Sequence, residues 1–320
     1  MKTMTANLEW GIILHMIRKY THGGVTWVDL ESPSSEEVKQ IMSEFNISPS
    51  TGQELLTPSL KPKVDLFKDY IYLILHFPAF KHSHINTNKL QEVDFVIGKN
   101  FLITTKYEAV DPLRQFAKEF EVSKILNHRD ENFHAGHLFF QMIRGLYDSL
   151  NDELDFISDS LREIEDEIFK GKEREMVQNI SNVSRDLLNF KQATILHKEM
   201  LKSFEVAARK VFGEEYSFYP KAVLNEYYKI SNKISGNSEY VAELRETNNS
   251  LLSTKQNEIM KAITIVAFLF LPFSVITGFF QMNTSHTPLI GSENDWLIVV
   301  AIEIFVSVIL FILAKIKKWL

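Results

Sequence analysis

Apolar positions crowd the last sixty residues, where two long runs stand apart from the mixed patterns upstream. The first, Ala262 to Phe280 (AITIVAFLFLPFSVITGFF), has nineteen residues without a charge, and the second, Trp296 to Ala314 (WLIVVAIEIFVSVILFILA), is interrupted by Glu303 alone. Each meets the roughly 20-residue length needed to cross a bilayer, so spans are predicted at 262–280 and 296–314. The fifteen residues between them include Glu293 and Asp295 but no Lys or Arg, whereas Lys315, Lys317 and Lys318 follow the second span. The positive-inside rule then places both termini in the cytoplasm of a multi-pass cell (inner or plasma) membrane protein, with Trp296 and Trp319 as interfacial anchors.

Upstream, the periodicity changes twice. VTWVDL and YIYLILHF are β-branched and aromatic runs, and VDFVIGKNFLITT predicts two strands around Gly98-Lys99-Asn100. PSSEEVKQIMSEF opens on capping signals and places Val38, Ile41, Met42 and Phe45 at helical spacing. Residues 1–133 are therefore predicted to form an α/β cytoplasmic domain. From His134, Ile143, Leu146, Leu150, Leu154, Ile157, Leu161, Ile164 and Ile168 step by threes and fours until Gly171 supplies a stop. A second helix is predicted from Glu173 to Phe212, ended by Gly213. A third starts near Pro220, and if it continues through Phe280 its 61 residues are about 92 Å long. The boundaries expected are a long-helix stalk over 134–256 and a membrane domain over 257–320.

One face of the first span differs from the rest. Steps of four and three back from Gly278 reach Ser274, Leu271, Ala267, Thr264, Met260 and Asn257, mostly small or polar, while Ile265, Phe268, Phe270, Phe273, Ile276 and Phe279 lie on other faces. Small residues in a membrane helix mark close packing, and polar ones face a bundle interior or a water-filled path. The same register continues upstream through Ser253, Ser250, Glu246, Glu243 and Glu239, and downstream to Gln281. Carboxylates suit poorly a buried coiled-coil seam but suit the lining of a cation path, where rings of Glu concentrate cations. Helix packing and a solvated glutamate face remain the alternative.

Composition narrows the chemistry. The chain has 320 residues, no cysteine and a formal net charge of -6, which excludes disulfides and thiolate metal sites and argues against a nucleic-acid surface. WGIILHMI near the start is too short for a signal peptide, and its basic pair Arg18 and Lys19 follows it. No phosphate-binding loop or catalytic triad is apparent, so neither an enzyme nor ATP-driven transport is expected. The run Asn151 to Glu167 holds eight acids and one base and reads as a solvated helix face. His82/His84 and His134/His137 have metal-compatible spacing without accompanying carboxylates. A charge within a span, as at Glu303, costs roughly 2.5 to 3.5 kcal/mol or more; pairing or a proton relay are its two readings.

NEIMKAITIVAFLFLPFSVITGFFQMN, followed by a short acidic loop, a second span and a terminal KKWL, resembles the CorA family of magnesium transporters, whose first span ends in Gly-Met-Asn. The resemblance implies an α+β cytoplasmic domain followed by long helices and two C-terminal transmembrane helices, assembled as a funnel-shaped homopentamer in membrane lipid. It implies passive transport of Mg²⁺, with Co²⁺ or Ni²⁺ as substitutes, and no permanently bound cofactor, Mg²⁺ acting as substrate and regulator. By position, Asn283 and Asn257 become amide rings that meet the hydrated ion at the outer mouth and the cytoplasmic end. Met260 and Leu271 become constrictions, Ser274 and Gly278 wider parts, and Glu246, with Glu243 as a weaker ligand, the inner exit. Thr264, Ala267 and Met282 complete the path. The sequence departs from the family pattern at Gln281, which stands where glycine is usual and either adopts a costly turn or extends the helix. It also departs at Ala222 and Asn225, which stand where a regulatory carboxylate is expected. A proton-coupled Zn²⁺ carrier using Glu303 and a non-conducting membrane-anchored oligomer are the alternatives.

Overall fold

The structure, a computed structural model, describes residues 16–59, 61–79, 90–125, 134–282 and 294–317. They fall into two compact units, one comprising Met1–Glu167 and Gln178–Leu244, the other Ile168–Val177 and Arg245–Leu320.

The first unit is built on six strands: β1 (Met16–His22), β2 (Val25–Glu31), β3 (Lys63–Leu66), β4 (Tyr70–Phe77), β5 (Gln91–Gly98) and β6 (Phe101–Lys106). Their order is β1-β2-β6-β5-β4-β3. β2 and β6 run parallel and every other neighbouring pair is antiparallel. The predicted strands at VTWVDL, YIYLILHF and on either side of the Lys99-Asn100 turn are all present. Gly98 is required there by space, because a Cβ would lie 2.2 Å from the Phe101 ring.

β4 and β5 are buried along their whole length, since helices cover both faces of the sheet. On one face lie α1 (Ser35–Phe45) and α2 (Pro49–Glu54), with Val38, Ile41 and Leu55 packed against Tyr72, Ile74 and Val96. Ser34 and Glu37 form the capping box that starts α1, and Asn46 in the left-handed region ends it. On the other face α3 (Asp111–Ile125) sets Phe116 and Phe120 edge-on to Trp27. There too α4 (Ala135–Phe169) sets Phe139 against Phe95.

α4 stops where expected, with Gly171 at φ +91°. The single helix predicted over 173–212 is instead two, α5 (Glu173–Thr194) and α6 (His197–Phe212). The join has no glycine or proline. His197 is fully buried and hydrogen-bonds to Tyr147 and to the His76 carbonyl, so tertiary contacts, not local propensity, set the break.

α7 (Phe218–Phe280) is one helix of 63 residues that contributes to both units. Pro272 lies within it without ending it, as membrane helices tolerate. α8 (Asp295–Ile316) completes the second unit, and both helices are long and apolar enough to cross a membrane.

Candidate ion path along helix α7

Two stripes run along α7. Val223, Tyr227, Ile230, Ile234, Asn237, Val241 and Leu244 are buried. Glu239 and Glu243 stand two residues on either side of Val241, about 200° around the axis, and are exposed. The glutamate register thus lies opposite the face that packs within the chain. Continued by threes and fours it passes through Glu246, Ser250, Ser253, Asn257, Met260, Thr264, Ala267, Leu271, Ser274, Gly278 and Gln281, and every one of these is exposed.

Local chemistry on this stripe is specific. The Thr264 hydroxyl donates to the Met260 carbonyl at 2.8 Å, so its oxygen can only accept from the stripe side. A Cβ on Gly278 would meet nothing within 4 Å, so packing inside one chain does not call for glycine there. At the outer end the Gln281 N–H donates to the Thr277 carbonyl at 3.0 Å and the Met282 N–H to Phe279 at 3.3 Å. Among the described residues only Ser32 and Asn46 are non-glycines with positive φ. Gln281 therefore takes no left-handed turn, and its N–H closes the last turn of α7, which ends at Phe280. Met282 is exposed, while Asn283, His82, His84, Glu293, Lys318 and Trp319 lie outside the described residues.

Glu303 of α8 accepts a hydrogen bond from the Thr277 hydroxyl at 2.7 Å. Thr277 escaped the sequence reading because it is one position off the stripe. An ionisable residue inside a span demands a polar partner, and that demand is the signal that points to it. Below the first span, Lys255 Nζ binds Glu173 Oε2 at 2.6 Å and the Gly171 carbonyl at 3.2 Å, tying the α4–α5 turn to α7 two residues before Asn257.

The other candidates resolve differently. Asn225 is exposed and Ala222 is half-buried, and among the described residues no group of three or more His, Asp or Glu is arranged to hold a metal. The His134 ring nitrogen accepts from the His137 N–H at 3.2 Å, a capping contact for α4, and His137 pairs with the Tyr219 hydroxyl at 3.2 Å. The acidic run is only partly a solvated face. Asp155 pairs with Lys233 at 2.6 Å and Glu165 accepts from Tyr240 at 2.5 Å, so two of its acids clamp α4 to α7.

Perturbed titrations gather inside the first unit. Burial, reinforced by the Glu92 carboxylate, pushes the Asp94 carboxyl well above the usual carboxylate range. Tyr72 donates to Asp94 at 2.9 Å. Burial pulls His76 down, but Glu92 at 3.0 Å and the Ser59 carbonyl outweigh it and leave the imidazole above its ordinary value. Burial lowers His197 to about 4. Lys106, fully buried, spans both oxygens of Asp29 at 2.6 Å.

An α+β domain, a long helix with an exposed polar stripe and two apolar C-terminal helices define a two-span membrane protein. The family model described as "CorA-like Mg2+ transporter protein" matches residues 22–318, and the chain belongs to that family. Among curated relatives, the cobalt/magnesium transport protein CorA of Thermotoga maritima is 24% identical over 296 residues, covering 92% of this chain and 83% of that protein. The protein of the same name from Methanocaldococcus jannaschii is 23% identical over 296 residues, covering 92% and 91%. The complete structure of the CorA magnesium transporter from Methanocaldococcus jannaschii shares the fold, with a TM-score of 0.79, 21% identity and 92% of each chain covered.

Proposed function

We propose that this chain is a passive channel for divalent cations, carrying Mg²⁺ and accepting Co²⁺ or Ni²⁺, through an axial path lined by α7 in a homopentamer. The observation that carries the reading is the α7 stripe. It is exposed in a single chain, lies opposite the buried face of the helix over Glu239–Glu246, and is mostly small or polar where the helix crosses the bilayer. Copies of the chain arranged about an axis give that stripe a use, and a glycine at 278 where an added Cβ would meet nothing within 4 Å fits a site that becomes crowded only when copies meet.

Mg²⁺ is small, prefers octahedral oxygen coordination and gives up water reluctantly. Neutral amide oxygens from Asn283 and Asn257 hydrogen-bond its hydration shell, whereas rings of carboxylates at the mouth bind too tightly for release. Gln281, carried on the last turn of the helix, adds a second amide close to Asn283. Met260 and Leu271 narrow the path, and Glu246 with Glu243 concentrates cations at the cytoplasmic exit. With both termini cytoplasmic, entry follows the membrane potential: moving two charges through 100 mV releases about 4.6 kcal/mol, and no chemical fuel is needed.

The test is Mg²⁺ flux into liposomes containing the purified full chain under an inside-negative potential. Wild type is expected to conduct, Asn283→Ala to conduct less, and Gln281→Gly to conduct with altered rate or selectivity. A silent wild type with flux restored by Gln281→Gly overturns the reading for this chain.

A further inference from the structure

Glu303 is the only ionisable residue between Trp296 and Ala314. It lies eight residues beyond Asp295, about 12 Å along α8 at 1.5 Å per residue, flanked by Ile302, Ile304 and Phe305. A carboxyl at that depth needs a donor, and Thr277 supplies one at 2.7 Å from the other span.

The direction of that hydroxyl is informative. A threonine or serine in a helix commonly donates to the carbonyl four residues earlier, and Thr264 does so to Met260 and Ser307 to Glu303. Thr277 sends its proton across to α8 instead. Its own carbonyl meanwhile accepts from the Gln281 N–H at 3.0 Å, the last i to i−4 bond of α7. One residue therefore ties the second span by its side chain and the end of the first by its backbone.

We propose that Glu303, acting through Thr277, is a positioning residue that fixes the rotation of the outer turn of α7, and with it the aim of Gln281 and Met282 toward the incoming cation. The role requires an acceptor at position 303 and no change in its charge. It deepens the channel reading and rests on it.

Mg²⁺ flux in proteoliposomes, recorded against external Mg²⁺ concentration at several pH values, tests the proposal. Thr277→Val and Glu303→Leu are each expected to raise the half-saturating concentration about fivefold or more, with a smaller effect on maximal rate. The double variant is expected to be no worse than either single, as for two partners of one interaction. Glu303→Gln, which keeps an acceptor, is expected within about twofold of wild type with the same pH profile. Pentamer yield by light scattering checks assembly. Because the chain has no cysteine, a spin label at Met282→Cys gives a second readout independent of transport. Its mobility is expected to rise in Thr277→Val and Glu303→Leu but not in Glu303→Gln. Unchanged half-saturation and label mobility in Thr277→Val overturn the proposal. So does a Glu303→Gln variant as impaired as Glu303→Leu with a lost pH dependence, which makes the proton the working part. A silent wild type overturns the channel reading alone, and the label still decides the positioning role.

Discussion

Tyr147 and His197 meet inside the first unit, the phenolic oxygen 2.8 Å from Nδ1 of the imidazole. Nε2 of the same ring lies 2.8 Å from the His76 carbonyl, and a carbonyl only accepts. The ring proton therefore sits on Nε2, and Tyr147 donates to Nδ1. Burial removes the water that would stabilise a charged ring and holds His197 at about 4, and a second proton on Nδ1 would also break the tyrosine's bond.

Stability on the acid side should register this. The folded value lies below the unfolded 6.5, so the unfolded chain takes up the proton first, and the contribution of neutral His197 is lost as pH falls from 6.5 to about 4. The full effect is about 3 kcal/mol. Denaturation of the full chain in detergent across that window should show the slope, and His197→Phe should flatten it while lowering stability at pH 7.

Asp94 and His76 act in the opposite sense. Both have folded values above their unfolded ones, so the folded chain holds more protons. Their contributions are greatest at low pH and fall as pH rises through the folded values. Asp94→Asn keeps an acceptor for Tyr72 and removes the titration, so its stability at pH 8 should equal or exceed wild type. Asp94→Leu leaves the Tyr72 hydroxyl without that acceptor and should cost about 1 to 3 kcal/mol.

The Lys106–Asp29 pair predicts a large single-site effect. Lys106→Met strands a buried carboxylate and should destabilise the first unit by about 3 to 5 kcal/mol. Asp29→Leu combined with Lys106→Met should recover much of that loss. Trp27 donates to Thr104, which donates in turn to Asp29, so tryptophan fluorescence during urea unfolding is a direct readout.

Gly278 separates packing within a chain from crowding between chains. A Cβ at position 278 would meet nothing within 4 Å in the single chain, so the circular dichroism spectrum of Gly278→Leu should match wild type. Flux should fall sharply if the stripe lines the path, and a variant that conducts normally places Gly278 outside it.

Local patterns revealed elements whose burial has a period. The α1 register of Val38 and Ile41, the Gly171 stop and the uninterrupted α7 could all be read from the sequence because each rests on near-neighbour spacing. The break between α5 and α6 could not, since Thr194-Ile195-Leu196 carries no glycine or proline to signal it and the cause lies at Tyr147 and His76, far away in sequence. The stripe on α7 was legible as a register, but that it lies opposite the buried face required the neighbours that bury Val241 and Leu244. Thr277 stayed hidden for a related reason, because its partner belongs to another helix.

The stripe has a further geometric consequence. From Glu239 to Gln281 it advances 42 residues in strict steps of four and three, a repeat of 3.5. A straight α-helix drifts about 20° per heptad against that repeat, so over this length the stripe precesses by about 120°. Straight, parallel copies of α7 could not keep both Glu239 and Gln281 turned toward one axis. For one ion to meet both ends of the stripe, the helices must wind around each other with a left-handed twist, a handedness already written in the spacing of the glutamates.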